Sequence, residues 1–148
     1  MNNCMPHHQF HSGETVVSLA NHPPEIESGA EIVIDSPYMG DLYAVLLESG
    51  MLHRWFDSSE LRSIDQRRMN SHPGSLEVGD CAAIISVNGH GSELRVGMVV
   101  KIAKVIPMAH YYDVRLQNGK YHRWLAEFEI TYPIHYICND MQISPRFK

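Results

Sequence analysis

The chain has no apolar run of the roughly 20 residues that a bilayer-spanning helix needs. Its opening stretch, MNNCMPHHQF, has neither the basic region nor the apolar region of a secretory signal. The expectation is a cytoplasmic protein with no membrane part. Cysteine is scarce: Cys4, Cys81 and Cys138 are odd in number and without a close pair, which argues against a disulfide framework and suits a reducing compartment. Signatures of common chemistry are missing as well. No serine sits in a G-x-S-x-G elbow, no glycine-rich phosphate loop follows a strand and opens a helix, and the cysteines lack a placed histidine. Nucleophilic catalysis is not indicated, and the expectation is a protein that is not an enzyme and carries no cofactor.

Positive charge is in deficit, with 12 Lys and Arg against 17 Asp and Glu. The deficit is uneven. Residues 12–64 hold nine acidic side chains against Arg54 and Arg62, whereas residues 78–133 hold five against six basic ones. A polyanion would be repelled by the first stretch, which disfavours nucleic acid as a partner.

What the chain does have is an internal repeat. Tyr43–Leu61, YAVLLESGMLHRWFDSSEL, recurs without a gap as Tyr112–Ile130, YDVRLQNGKYHRWLAEFEI. Tyr43, Val45, Leu47, Gly50, His53, Arg54, Trp55 and Glu60 reappear as Tyr112, Val114, Leu116, Gly119, His122, Arg123, Trp124 and Glu129. The chain then divides into an arm (1–11), a first copy (12–64), a linker (65–77), a second copy (78–133) and an extension (134–148). Units this small are marginal on their own, so the copies are expected to lean on each other or on another subunit.

Each copy reads as short strands. In the first, ETVVSLA, EIVIDS, LYAVLLES, MLHRWFD and LRSI are β-rich runs. Asn21 to Pro24 mark one loop, Pro37 and Gly40 a turn between the second and third runs, and Ser49 and Gly50 a hairpin between the third and fourth. Ser58 to Leu61 suggest a short helical turn before the last strand. In the second copy CAAIIS and VVKIAKVI take the first two places, and Asn88 to Gly91 replace the first loop. Five short strands separated by turns predict a small all-β barrel or sandwich, made twice.

This order, closed by G-x-x-H-R-W-x-x-x-x-E-[LI], resembles SH3-like barrels of the Tudor and KOW kind. The resemblance spans both copies and implies two tandem barrels. KOW modules imply nucleic-acid partners, Tudor modules an aromatic cage for methylated side chains, and SH3 modules proline-rich peptides. The candidate cage rings are Tyr38, Tyr43, Trp55 and Phe56 in copy one, and Tyr111, Tyr112, Tyr121 and Trp124 in copy two.

The two HRW triplets are the candidate binding residues: His53, Arg54 and Trp55 with Tyr43, and His122, Arg123 and Trp124 with Tyr112. On a regular strand each Arg points away from its His and Trp neighbours. Either Trp fills a core while Arg pairs with an acid such as Glu60 or Glu129, or the two Arg mark equivalent ligand positions. Cys4, His7, His8 and His11 form a C-x-x-H-H-x-x-H cluster that could hold a metal, against the reading of a polar arm with incidental histidines. His22, His72, His90, His110 and His135 are scattered over loops and ends. The expectation is a non-catalytic binding or assembly protein with a protein partner or self-association, of a kind that suits a larger assembly such as a phage particle. The alternatives are a KOW-like nucleic-acid binder using Arg95, Lys101, Lys104, Arg115, Lys120 and Arg123, and a metal-dependent enzyme using the histidines.

Overall fold

The computed structural model describes residues 10–64, 76–91 and 93–133. Cys4, His7 and His8, most of the linker and the whole 134–148 extension lie outside the described residues. The fold is all-β, as expected, in one antiparallel sheet of eight strands. These are β1 (Thr15–Ser18), β2 (Glu31–Leu46), β3 (Leu52–Asp57), β4 (Leu61–Ser63), β5 (Cys81–Ile84), β6 (Val99–Arg115), β7 (Tyr121–Ala126) and β8 (Ile130–Thr131). Their order is β4-β5-β6-β2-β1-β8, with β3 on β2 and β7 on β6. Short 3₁₀ turns, Ser58–Glu60 and Glu127–Glu129, carry β3 into β4 and β7 into β8.

Local chemistry explains the hairpins. In the β2–β3 turn Leu47 N–H donates to the Met51 carbonyl at 2.9 Å, and Gly50 takes φ +90°, a conformation that favours glycine. Gly119 does the same between β6 and β7, at φ +87°.

The middle of each copy departs from expectation. Pro37 and Gly40 do not make a turn: β2 runs straight through both, and β6 runs through Pro107 in the same way. The two long strands lie antiparallel from Val33↔Arg115 to Leu46↔Lys101. Register slips at Ile34/Ser36, Gly40/Leu42 and Ala44/Val45 absorb the irregular positions, as bulges do around proline and glycine.

Because the strand goes straight on, each half of a copy packs with the other copy. One core, which includes Tyr43, Val45, Phe56, Ile84, Val100 and Ile102, lies wholly between residues 43 and 102. This inner lobe joins the second half of copy one to the first half of copy two. Another core gathers Phe10, Val16, Ile32 and Ile34 with Tyr112, Val114, Leu125 and Ile130. This outer lobe joins the first half of copy one to the second half of copy two. Between the lobes sits a third cluster of Leu42, Ala44, Trp55, Ala109, Tyr111, Trp124 and Ala126. The expectation of one barrel closed within each copy is therefore replaced by lobes that both copies build, because the hairpin needed for closure within a copy is not made. Phe10, assigned to the arm, is buried: its ring meets Tyr132 and Tyr112 at 4.9 and 5.7 Å, and its N–H donates to the Tyr112 hydroxyl.

Candidate functional site

The HRW triplets lie on β3 and β7, and each contains a bulge. Tyr43 pairs with Phe56 and the next residue, Ala44, pairs with Arg54, so Trp55 is an extra residue on its strand. Tyr112 pairs with Leu125 and Asp113 with Arg123, which leaves Trp124 extra in the same way. Both Arg–Trp peptide bonds are cis. The extra residue ends the alternation of period two, so Trp55 and Phe56 are both buried but in different cores. This corrects the expected grouping of His with Trp against Arg. His53 and Arg54 line one cleft while Trp55 turns inward to the cluster between the lobes.

There each indole meets a buried carboxylate of the opposite copy. Trp55 Nε1–H donates to Glu129 Oε1 at 2.8 Å, and Trp124 Nε1–H donates to Glu60 Oε1 at 2.7 Å. The same oxygens accept the backbone N–H of Ala126 and Asp57, each at 2.9 Å, which closes the 3₁₀ turns. The remaining oxygens face imidazoles, Glu60 Oε2 at 2.7 Å from His90 Nε2 and Glu129 Oε2 at 3.0 Å from His22 Nε2. Burial alone would raise the Glu129 carboxyl. The hydrogen bond and charge of His22, with Ala126 N–H and Trp55, overcome it and hold the group below its usual range. The expected pairing of Arg with an acid is met at Arg123, though by Asp113 and not by Glu60 or Glu129. Arg123 Nε lies 3.7 Å from Asp113 Oδ2, and Arg54 has no carboxylate partner among the described residues.

Four imidazoles converge where the lobes meet. His22 Nδ1 donates to the Arg54 carbonyl at 3.0 Å, and its ring stands edge-on to that of His122 with centroids 5.3 Å apart. His53 Nε2 is 3.3 Å from His90 Nδ1. The other nitrogen of the His90 ring, Nε2, is the one that faces the Glu60 carboxylate. His122 Nδ1 is 3.4 Å from Glu25 Oε1, while its Nε2 is buried without a hydrogen-bond partner among the described residues. Burial, reinforced by the neighbouring imidazoles, pushes His53 down to about 3 and His122 likewise to about 3, so both rings are neutral across the physiological range.

These rings line a cleft of about 430 Å³ together with Pro23, Pro24, Glu25, Met51, Leu52, Arg54 and Glu93. Met51 and Leu52 on its rim are 56% and 51% exposed. The cleft has an apolar rim, imidazoles of which those of His53 and His122 are neutral, and one exposed guanidinium. Among the described residues no three His, Cys, Asp or Glu side chains converge on a point where a metal ion could sit.

The cleft wall is tightly fitted at Gly89, whose carbonyl accepts Arg123 N–H at 2.9 Å. A Cβ there would lie 2.9 Å from Arg123 Cγ and 3.1 Å from its backbone nitrogen, at φ +81°. Gly89→Ala is expected to cost about 1–3 kcal/mol, read as a lowered urea midpoint with an unchanged slope.

The other sequence-predicted residues are dispersed. Tyr43 is in the inner core and Tyr112 in the outer one. Neither set of cage rings converges: Tyr38, Tyr111 and Trp124 pack on one another across the copies, and Tyr121 lies beside the Arg115 guanidinium. His11 is exposed. The basic residues of copy two do not form one stripe, since Lys101 and Lys104 lie on the inner-lobe part of β6 whereas Arg115, at its outer-lobe end, is 3.4 Å from Asp35. Sequence reasoning missed His22 and His90 as a pair. Each follows the first strand of its copy, and that matching placement was the available signal.

Fold and site together define an all-β protein with a single antiparallel sheet and a cleft lined by both copies. No family model and no curated protein matches the sequence. Among solved structures the chain is similar to a DUF1541 family protein, ydhK, from Bacillus subtilis subsp. subtilis str. 168, at 18% identity and TM-score 0.59, covering 87% of this chain and 88% of that one. It is also similar to a second crystal structure of the Bacillus subtilis ydhK protein, at 18% identity and TM-score 0.58, with 82% of this chain and 99% of that one covered. The solution structure of the ydhK C-terminal domain from the same species gives 18% identity, TM-score 0.58, and coverage of 84% and 95%. At this identity the likeness is one of fold.

Proposed function

We propose that the chain is a non-catalytic binding protein in which two composite barrels of SH3-like strand order frame a cleft for a segment of a protein partner. The inner lobe pairs in the order β3-β2-β6-β5-β4 and the outer lobe in the order β7-β6-β2-β1-β8, each with a 3₁₀ turn before its last strand. The turn before the last strand in each supports the SH3-like reading, with the two long strands of each barrel drawn from different copies. The observation that carries the reading is the meeting of both HRW strands at one cleft, rimmed by exposed Met51 and Leu52 and an Arg54 without a carboxylate partner among the described residues. Exposed apolar side chains beside a guanidinium are what protein interfaces use as anchors. Glu60 and Glu129 support a non-catalytic role, since both are occupied by indole, imidazole and backbone donors.

A photo-crosslinking residue at Leu52, introduced in the native host, is expected to give one discrete protein adduct. Arg54→Glu should weaken that adduct by about tenfold, the equivalent of about 1.4 kcal/mol. The same crosslinker at Lys120, away from the cleft, serves as the control. A smear, or equal adducts from both positions, would end this reading.

A further inference from the structure

The side-chain bonds of Glu60 and Glu129 run from one copy to the other, Glu60 to Trp124 and His90 and Glu129 to Trp55 and His22, as does that of the Tyr111 hydroxyl to Asp57 Oδ2 at 2.8 Å. The β2–β6 ladder and the β1–β8 and β4–β5 pairings do the same. A copy is thus half of a body, and every chain carries both halves. We propose that the surface each copy presents to the other also accepts the matching copy of a second chain. The product is a dimer of two complete bodies, copy one of each chain paired with copy two of its neighbour.

Two observations point to this occupant. The first is the chain between the copies. Ile64 N–H donates to the Cys81 carbonyl at 3.3 Å, so the segment that leaves β4 returns across a single ladder. Fully extended, the stretch from Ile64 to Leu76 would reach about 40 Å, enough to connect two neighbouring bodies instead. Exchange through such a connection is a low-cost route to a dimer, because the contacts formed are those of the single chain. The second is charge: the acidic first copy meets a second copy close to neutral, which favours pairing unlike copies over pairing two first copies.

The test uses the full chain, unfolded in urea and refolded at low and high concentration. Light scattering after high-concentration refolding is expected to show a species of twice the 16.9 kDa chain mass. Its tryptophan emission should match that of the monomer. A protease site inserted between residues 65 and 75 then separates exchange from surface docking. In an exchanged dimer the two connections are the only tie between bodies, so cleavage should return every body to the mass of one chain. Persistence at double mass after cleavage would overturn the proposal, as would a strict monomer at every concentration. The cleaved monomer must remain one body, and separation of its fragments would also overturn it. Leu52→Asp and Arg54→Glu should leave the exchange unchanged, so failure of the cleft reading and failure of this one are distinguishable.

Discussion

Glu60→Ala is expected to lower the unfolding free energy by about 3–5 kcal/mol, a large part of the 5–15 kcal/mol that holds an ordinary domain together. The carboxylate is 1% exposed and receives the Trp124 indole, the Asp57 amide and the His90 imidazole. Alanine leaves three buried donors without an acceptor, and each orphaned group carries its own desolvation cost. Glu129→Ala should cost a similar amount, since Trp55, Ala126 N–H and His22 repeat the arrangement in the other lobe. The double substitution is expected to fall short of additivity, because both indoles share the cluster between the lobes. Urea titration followed by tryptophan fluorescence reads these losses directly, both indoles being bonded into the network. A cost below about 1 kcal/mol for either single substitution would show that the carboxylates do not hold the lobes together.

Acid is expected to unfold the protein well before the carboxylates alone would do so. His53 and His122 are held down at about 3 in the folded state, against an ordinary value of 6.5. Above 6.5 the two rings are neutral in both states and their contribution to stability is complete. As the pH falls below 6.5 the unfolded chain takes up their protons while the folded one does not, so stability drops until about pH 3. Each ring contributes about 1.4 kcal/mol per pH unit over that window. At pH 4.5 the two together therefore remove roughly 5 kcal/mol. His122 faces His22 and Glu25, and His53 faces His90 and Phe56, so the nearest new charges would be largely unfavourable. Glu129 acts in the same direction, because its folded value is depressed and its stabilisation is lost on protonation at lower pH. Urea midpoints should be flat near pH 7.5 and fall with a slope close to two protons between about pH 5.5 and 4, and His122→Leu should halve that slope. A flat profile would mean that the two rings become protonated without penalty.

Much of the local structure was legible in the residues. The β-branched runs, the glycine hairpins and the short turn before each final strand follow from propensity and turn chemistry, and the duplication showed that whatever forms once forms twice. The exchange of halves was not legible. Pro37 and Gly40 carry the ordinary signals of a turn, and only the tertiary pairing of β2 with β6 turns those positions into bulged points along one strand. At the site, the placement of His53, Arg54 and Trp55 rests on a bulge that no period-two reading of the triplet contains. His22 and His90 read as scattered because their closeness to His122 and His53 is made by lobes that bring residues 32 to 107 positions apart into contact.

The nesting of one lobe within the other also sets how the molecule bears a mechanical load. The inner lobe is one unbroken stretch of chain, whereas the outer lobe holds both Phe10 and Tyr132. Tension between those residues falls first on the short β1–β8 ladder, Val17↔Thr131 and Ser18↔Ile130. It next passes through the β1–β2 and β6–β7 ladders to the β2–β6 ladder, which it peels from the Val33↔Arg115 end instead of shearing. Rungs loaded by peeling give way one at a time. The outer lobe opens like a zipper from its free end, while the inner lobe stays out of the load path until the peeling front arrives at Tyr43↔Val105.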